Sequence, residues 1–159
     1  MTEPEDRSGP ASRLEPRGPL MSPGFWLYHA ALAWRQAFDR QLRPLGLTPT
    51  QFMLLASAGW LAATSARPPT QQEVADHAGA DRMMTSKVLQ GLVDHGLVIR
   101  QADPADGRVK RLRLTPAGQE LVRRGIRIAV DLDEDMFGPD GDSLRETLER
   151  IAAKARTAP

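Results

Sequence analysis

Read for the period of its apolar positions, the chain changes character at about residue 21. Residues 1–21 are rich in Pro, Gly, Ser and charge and show no repeat of apolar positions, so a disordered N-terminal arm is predicted there. Beyond it the helix starts are sharply punctuated. Ser22-Pro23, Thr48-Pro49 and Thr115-Pro116 each put a side-chain oxygen at the cap and proline, whose fixed φ suits a first helical residue, directly after it. Thr48 with Gln51 and Thr70 with Glu73 have the spacing at which the third helical residue reaches back to the cap. These starts, with breaks at Pro44 and Gly46, TSARPP, Gly79, Gly96 and FGPDGD, predict helices over about 23–43, 49–63, 71–78, 82–95, 115–136 and 143–155. Between the fourth and fifth helices, residues 97–102 and 109–114 suit two strands, and the Asp106-Gly107 step favours a tight turn joining them.

Helix, short turn, helix and then a two-stranded ribbon is the layout of a winged helix-turn-helix. The expected architecture is mainly α with a small two-stranded antiparallel β-wing: a lobe over residues 47–115, flanked by dimerisation helices over 22–46 and 116–156. The fourth helix has two faces. Thr85, Val88, Leu89 and Leu92, spaced by three and four, form a stripe for the core, whereas Met83, Ser86, Lys87 and Gln90 fall on the opposite stripe. Hydroxyl, ammonium and amide groups on a helix entering a major groove of about 12 Å can donate to phosphates and read base edges. Arg82, in the first turn, reaches either. A merely solvated helix face is the plain alternative.

Overall composition adds little to this picture, whereas local charge adds a good deal. The 159 residues are 41% hydrophobic and 26% charged, ordinary for a soluble globular chain, and a formal net charge of +1 gives no general attraction to polyanions. No window approaches the roughly 18 apolar residues of a membrane span, and MTEPEDRSGP lacks the basic and apolar regions of a secretory signal, so a cytoplasmic location is expected. Without cysteine there is no disulfide, thiolate metal site or thiol nucleophile. His29, His77 and His95 lack metal-ligand spacing, and no Gly-rich phosphate loop, His-Glu-x-x-His or Gly-x-Ser-x-Gly occurs. Neither an enzyme, a metal nor a cofactor is expected.

Residues 97–114 are different. Arg100, Arg108, Lys110, Arg111 and Arg113 face only Asp103 and Asp106, so five cations against two anions leave a local charge of +3. By the alternation of strand side chains, Leu112 and Leu114 should pack on the helices while Arg111 and Arg113 point away. Arg108, at the tip of a thin ribbon, suits the narrow minor groove with its more negative potential, and Asp106 two residues earlier can orient the guanidinium by a bidentate pair.

Asp106-Gly107-Arg108, then Leu114-Thr115-Pro116-Ala117-Gly118, preceded by PTQQEVADHAGADRMMTSKVLQGLVDHGLVIR, resembles the MarR family of bacterial transcriptional regulators over about residues 45–121. The resemblance implies a homodimer with winged helix-turn-helix lobes, a repressor on a pseudo-palindromic operator, in a family often released from DNA by small lipophilic or phenolic compounds. Carried over residue by residue, it places Arg108 in the minor groove with Asp106 as support, and Met83, Ser86, Lys87 and Gln90 in the major groove beside Arg82. Thr70 and Gln71 lie near phosphates, which agrees with the free N–H groups and positive dipole end of a helix N-terminus. Lys110 and Arg111 complete the expected DNA contacts. The sequence departs from the common pattern at Met83 and Met84, where small hydroxyl residues are frequent, and at Gly91, inside the recognition helix.

The dimer also has a physical argument. The first helix is apolar around more than one face (Phe25, Trp26, Leu27, Tyr28, Leu32, Trp34), and the last two offer Ile126, Val130, Leu144, Leu148 and Ile151, among others. Helices apolar on several sides need a second surface, and a symmetric partner commonly supplies it. Tyr28, Trp34, Phe52 and Trp60 either line a pocket for a small aromatic or lipophilic effector or belong to the core. The competing function is a winged-helix module that binds another protein and not DNA, since fold alone does not fix function.

Overall fold

The structure, a computed structural model, describes residues 19–157; residues 1–18, most of the expected arm, lie outside the described residues. The described residues fall into two compact units, divided between Trp34 and Arg35.

In the first unit a 3-10 turn, Pro19–Met21, leads into helix α1, Pro23–Leu42. The Ser22 hydroxyl accepts from the Phe25 amide at 3.4 Å, and the Trp26 indole donates to the Leu20 carbonyl at 2.9 Å. Phe25 meets Trp26 edge-on at 5.4 Å and lies against His29 at 4.3 Å. Trp26, Leu27, Tyr28 and Leu32 remain exposed.

The second unit contains the end of α1 and every other element: α2 (Pro49–Thr64), α3 (Gln71–Ala78), α4 (Arg82–Asp94), β1 (Val98–Ala102), β2 (Lys110–Leu114), α5 (Pro116–Phe137) and α6 (Gly141–Thr157). The predicted elements are all present, mainly helix with one antiparallel two-stranded sheet. The last break is shorter than expected. A 3-10 turn, Gly138–Asp140, separates α5 from α6, and the glycine at φ +52° supplies the reversal.

Helix α2 is the hub, because its sequence is apolar on several sides and neighbours surround it. It buries Phe52, Leu54, Leu55 and Ala58 and packs against α3, α4, α5 and β2. Phe52 meets Phe38 of α1 edge to face, with ring centroids 5.1 Å apart. Helix α5 comes so close here that a methyl group at Gly125 would overlap the Phe52 ring.

The helix-turn-helix follows from local chemistry. Thr70 and Glu73 form the expected reciprocal capping box of α3, and Gly79, at φ +64°, closes that helix in the left-handed conformation. Two residues later the Asp81 carboxylate accepts from the Met84 amide at 2.9 Å and caps α4. The buried stripe of α4 is Thr85, Leu89 and Leu92, so the opposite stripe faces out.

The ribbon pairs Val98 with Leu114, Arg100 with Leu112 and Ala102 with Lys110. Its second strand is also fastened sideways. The Leu112 amide donates to the Pro69 carbonyl at 2.8 Å, and Arg111 bridges to Thr70, so the wing is hydrogen-bonded to the segment that leads into α3. Thr115 then caps α5 through the Gly118 amide and donates its own hydroxyl to the Gly96 carbonyl.

Candidate nucleic-acid interface

Met83, Ser86, Lys87 and Gln90 are exposed on α4, Met83 by 84%, and with Gly91 and Asp94 they line an open depression on that face. Arg82 is exposed in the first turn. The sequence-predicted reading face is therefore one continuous ridge. Gln90 is not a free arm on it: its carbonyl accepts from Arg100 at 2.7 Å and its amide donates to Asp94 at 2.8 Å. Arg100 also donates to Gln71 at 3.3 Å, so β1 ties α4 to the first turn of α3.

At the wing tip the Arg108 side chain is 92% exposed. Its Nε donates to one Asp106 oxygen at 3.1 Å and Nη2 to the other at 3.3 Å, the bidentate arrangement expected from the sequence. Asp106 also accepts from the Arg108 amide at 3.0 Å, and these bonds, the guanidinium first, hold its carboxyl below the usual carboxylate range. Lys110 donates to the Gly107 carbonyl at 3.2 Å.

The base of the wing corrects the simple alternation. Arg113 is exposed, but the Arg111 side chain is only 13% exposed and forms an ion pair with Asp103, itself 6% exposed. Arg111 donates a second bond, at 2.7 Å, to the Pro68 carbonyl. The physical reason is the 68–70 segment, which lies along the strand and gives Arg111 partners within the fold. Asp103 has further duties: its other oxygen accepts from the Ala105 and Asp106 amides at 2.8 and 3.3 Å. The Arg111 bond, then the backbone bond from Ala105, depress the Asp103 carboxyl. Sequence reasoning counted Asp103 and Arg100 only as charges. An Asp-Pro step after a strand is a turn signal that marks Asp103 as a loop organiser; no local signal marks Arg100.

Thr70 and Gln71 stand at the N-terminus of α3, where the Glu73 carboxylate already accepts from the Thr70 amide at 2.6 Å and its hydroxyl at 2.9 Å. Those two bonds, the amide's first, lower the Glu73 pKa. Of the aromatic set, Phe52 belongs to the core of the second unit, and Trp60, 61% exposed, stands on the outer side of α2. Tyr28 is exposed and Trp34 half-buried in the first unit. Among the described residues no helix is long and apolar enough to cross a membrane.

Comparison with known proteins agrees with this geometry. The sequence profile of the MarR family matches residues 47–110. The uncharacterized HTH-type transcriptional regulator YdcH of Bacillus subtilis (strain 168) is 33% identical over 120 residues, spanning 76% of this chain and 81% of that protein. CouR, a transcriptional repressor solved on a 23-mer DNA duplex, superposes with a TM-score of 0.73 at 29% identity, over 89% of this chain and 99% of its own. CouR from Rhodococcus jostii RHA1 solved with p-coumaroyl-CoA gives 0.72 at 27% identity, over 86% and 95%.

Proposed function

The chain belongs to the MarR family of transcriptional regulators, and on that premise we propose that it is a homodimeric repressor of a pseudo-palindromic operator. Its two α4 ridges enter successive major grooves, and the wings reach the flanking minor grooves. The observation that carries this reading is the pairing of two exposed cationic elements on one lobe: Lys87 on the ridge, and Arg108 held outward by Asp106 on a wing fastened to the start of α3. A narrow minor groove concentrates negative potential, which favours an arginine presented in this way.

Selection of bound fragments from genomic DNA, followed by titration of the full chain on one selected duplex over a salt series, tests the proposal. Expected are two-fold symmetric sites with half-site centres about 34 Å apart and a steep negative slope of log affinity against log salt. Absent or salt-independent binding would favour the protein-binding module and overturn the repressor.

Release by a small aromatic or lipophilic effector is a second part of the proposal, supported by the likeness to CouR, which was solved with p-coumaroyl-CoA. Such a ligand acts only by binding the DNA-competent and incompetent arrangements unequally. A thermal-shift screen of aromatic acids and their thioesters, followed by DNA-release assays, tests it; a panel with neither shift nor release removes this part and leaves DNA binding untouched.

A further inference from the structure

Gln90 is the one ridge residue whose polar ends are both held by other side chains of known character. Its Oε1 accepts from Arg100 Nη1 at 2.7 Å, its Nε2 donates to Asp94 Oδ1 at 2.8 Å, and the same guanidinium reaches Gln71 Oε1 at 3.3 Å. A guanidinium only donates and a carboxylate only accepts. The neighbours of Gln90 therefore dictate which end of its carboxamide is oxygen and which is nitrogen. An amide oxygen accepts twice and an amide nitrogen donates twice, so one lone pair and one N–H remain on a residue that is exposed and lines the depression on α4.

From this we infer that Gln90 is a pre-oriented reader of adenine in the major groove and that Arg100 is the positioning residue that holds it ready. The inference rests on the DNA-binding reading above and deepens it. In the major groove adenine presents the acceptor N7 and a donor on N6, the complement of a free N–H and a free lone pair. Guanine presents two acceptors there, cytosine a donor alone, and thymine an acceptor beside a methyl group. None of these three satisfies both remaining amide sites. A glutamine side chain ordinarily loses rotamer freedom on docking, and here bonds within the lobe have removed that freedom before DNA arrives. Arg100 approaches Gln90 from β1, not from α4 itself, so the reading orientation depends on the ribbon being seated against the helix.

The test is selection from a pool of random duplexes by the full chain and its variants, scored position by position. The parent should enrich an A·T pair at one symmetric position of each half-site. Gln90→Ala should lose that preference by about tenfold or more while the other positions stay as they were. Gln90→Glu keeps an acceptor for Arg100 but has no N–H for N7, so it should abandon adenine and move toward cytosine, whose amino group a carboxylate accepts. Arg100→Met, checked for native circular dichroism, should blur the same position and no other, which a general weakening of the wing would not do. If the parent enriches sites and both Gln90 variants select the same bases as the parent, this inference falls and DNA binding stands. If Arg100→Met folds and leaves the position sharp, the positioning role falls. If the parent enriches nothing, the DNA-binding reading falls and takes this inference with it.

Discussion

Arg108 is a side chain almost wholly in solvent and yet held along one edge of its guanidinium by both oxygens of Asp106. Exposure means that the fold does not depend on it, and the bidentate hold means that its direction is set. Arg108→Ala should therefore weaken DNA binding by roughly 5- to 150-fold, the range of one good arginine contact, with an unchanged unfolding midpoint; equal affinity of mutant and parent in a titration would remove the wing from the interface. The opposite holds for Asp103, which is buried and committed to Arg111 and two loop amides. Asp103, Asp106 and Glu73 all have depressed folded-state pKa values. A carboxyl of this kind adds stability that is fully present above its unfolded-state pKa, about 4, and is lost as the pH falls through the lower folded-state value. Thermal midpoints should thus hold from neutrality down to about pH 4 and fall below it. Asp103→Asn should lower the midpoint at neutral pH and flatten the acid limb, and an acid limb indifferent to that change would count against the clamp.

At the scale of elements, the lobe is a hub helix with a helix-turn-helix on it and a ribbon stitched to the start of α3. The stitching turns a marginal two-stranded hairpin into a rigid mount, since an isolated hairpin has little stability of its own. Much of this was legible in the sequence because it is local. The caps at Thr48, Thr70 and Thr115 and the Gly79 turn operate within four residues, and they appear where the spacing put them. The side-chain partners of Arg111 and Arg100 are not legible for the converse reason: they lie 8 to 43 residues away, and strand alternation carries no news of what covers a strand from outside. Gly91 belongs to the same scale. A methyl group there meets no atom within 4 Å, so nothing in the fold requires glycine. Gly91→Ala should stabilise α4 by about 1 kcal/mol, read by denaturant unfolding. If its affinity for operator DNA falls meanwhile, the missing side chain serves close approach of the duplex to α4; if affinity is unchanged, it does not.

At the scale of the whole molecule, the helices that follow the lobe leave much apolar surface uncovered. Ile126 and Val130 are exposed one turn apart on α5, and Leu144, Leu148 and Ile151 are exposed along one stripe of α6. Aligned exposed stripes of this kind mark an interaction surface, and the second copy of the chain proposed above would satisfy them symmetrically. Sedimentation should find two chains per particle, and Val130→Asp with Leu148→Asp should give a folded monomer. The functional consequence follows from linkage of two sites. In a dimer the second lobe binds at an effective concentration set by the first, which raises affinity for a full operator over a half-site by roughly 10²–10⁴. The monomeric variant should retain the parent's affinity for a half-site and lose its advantage on the full one. If the parent itself bound full and half sites equally, the lobes would be acting singly, and the exposed stripes of α5 and α6 would need another occupant.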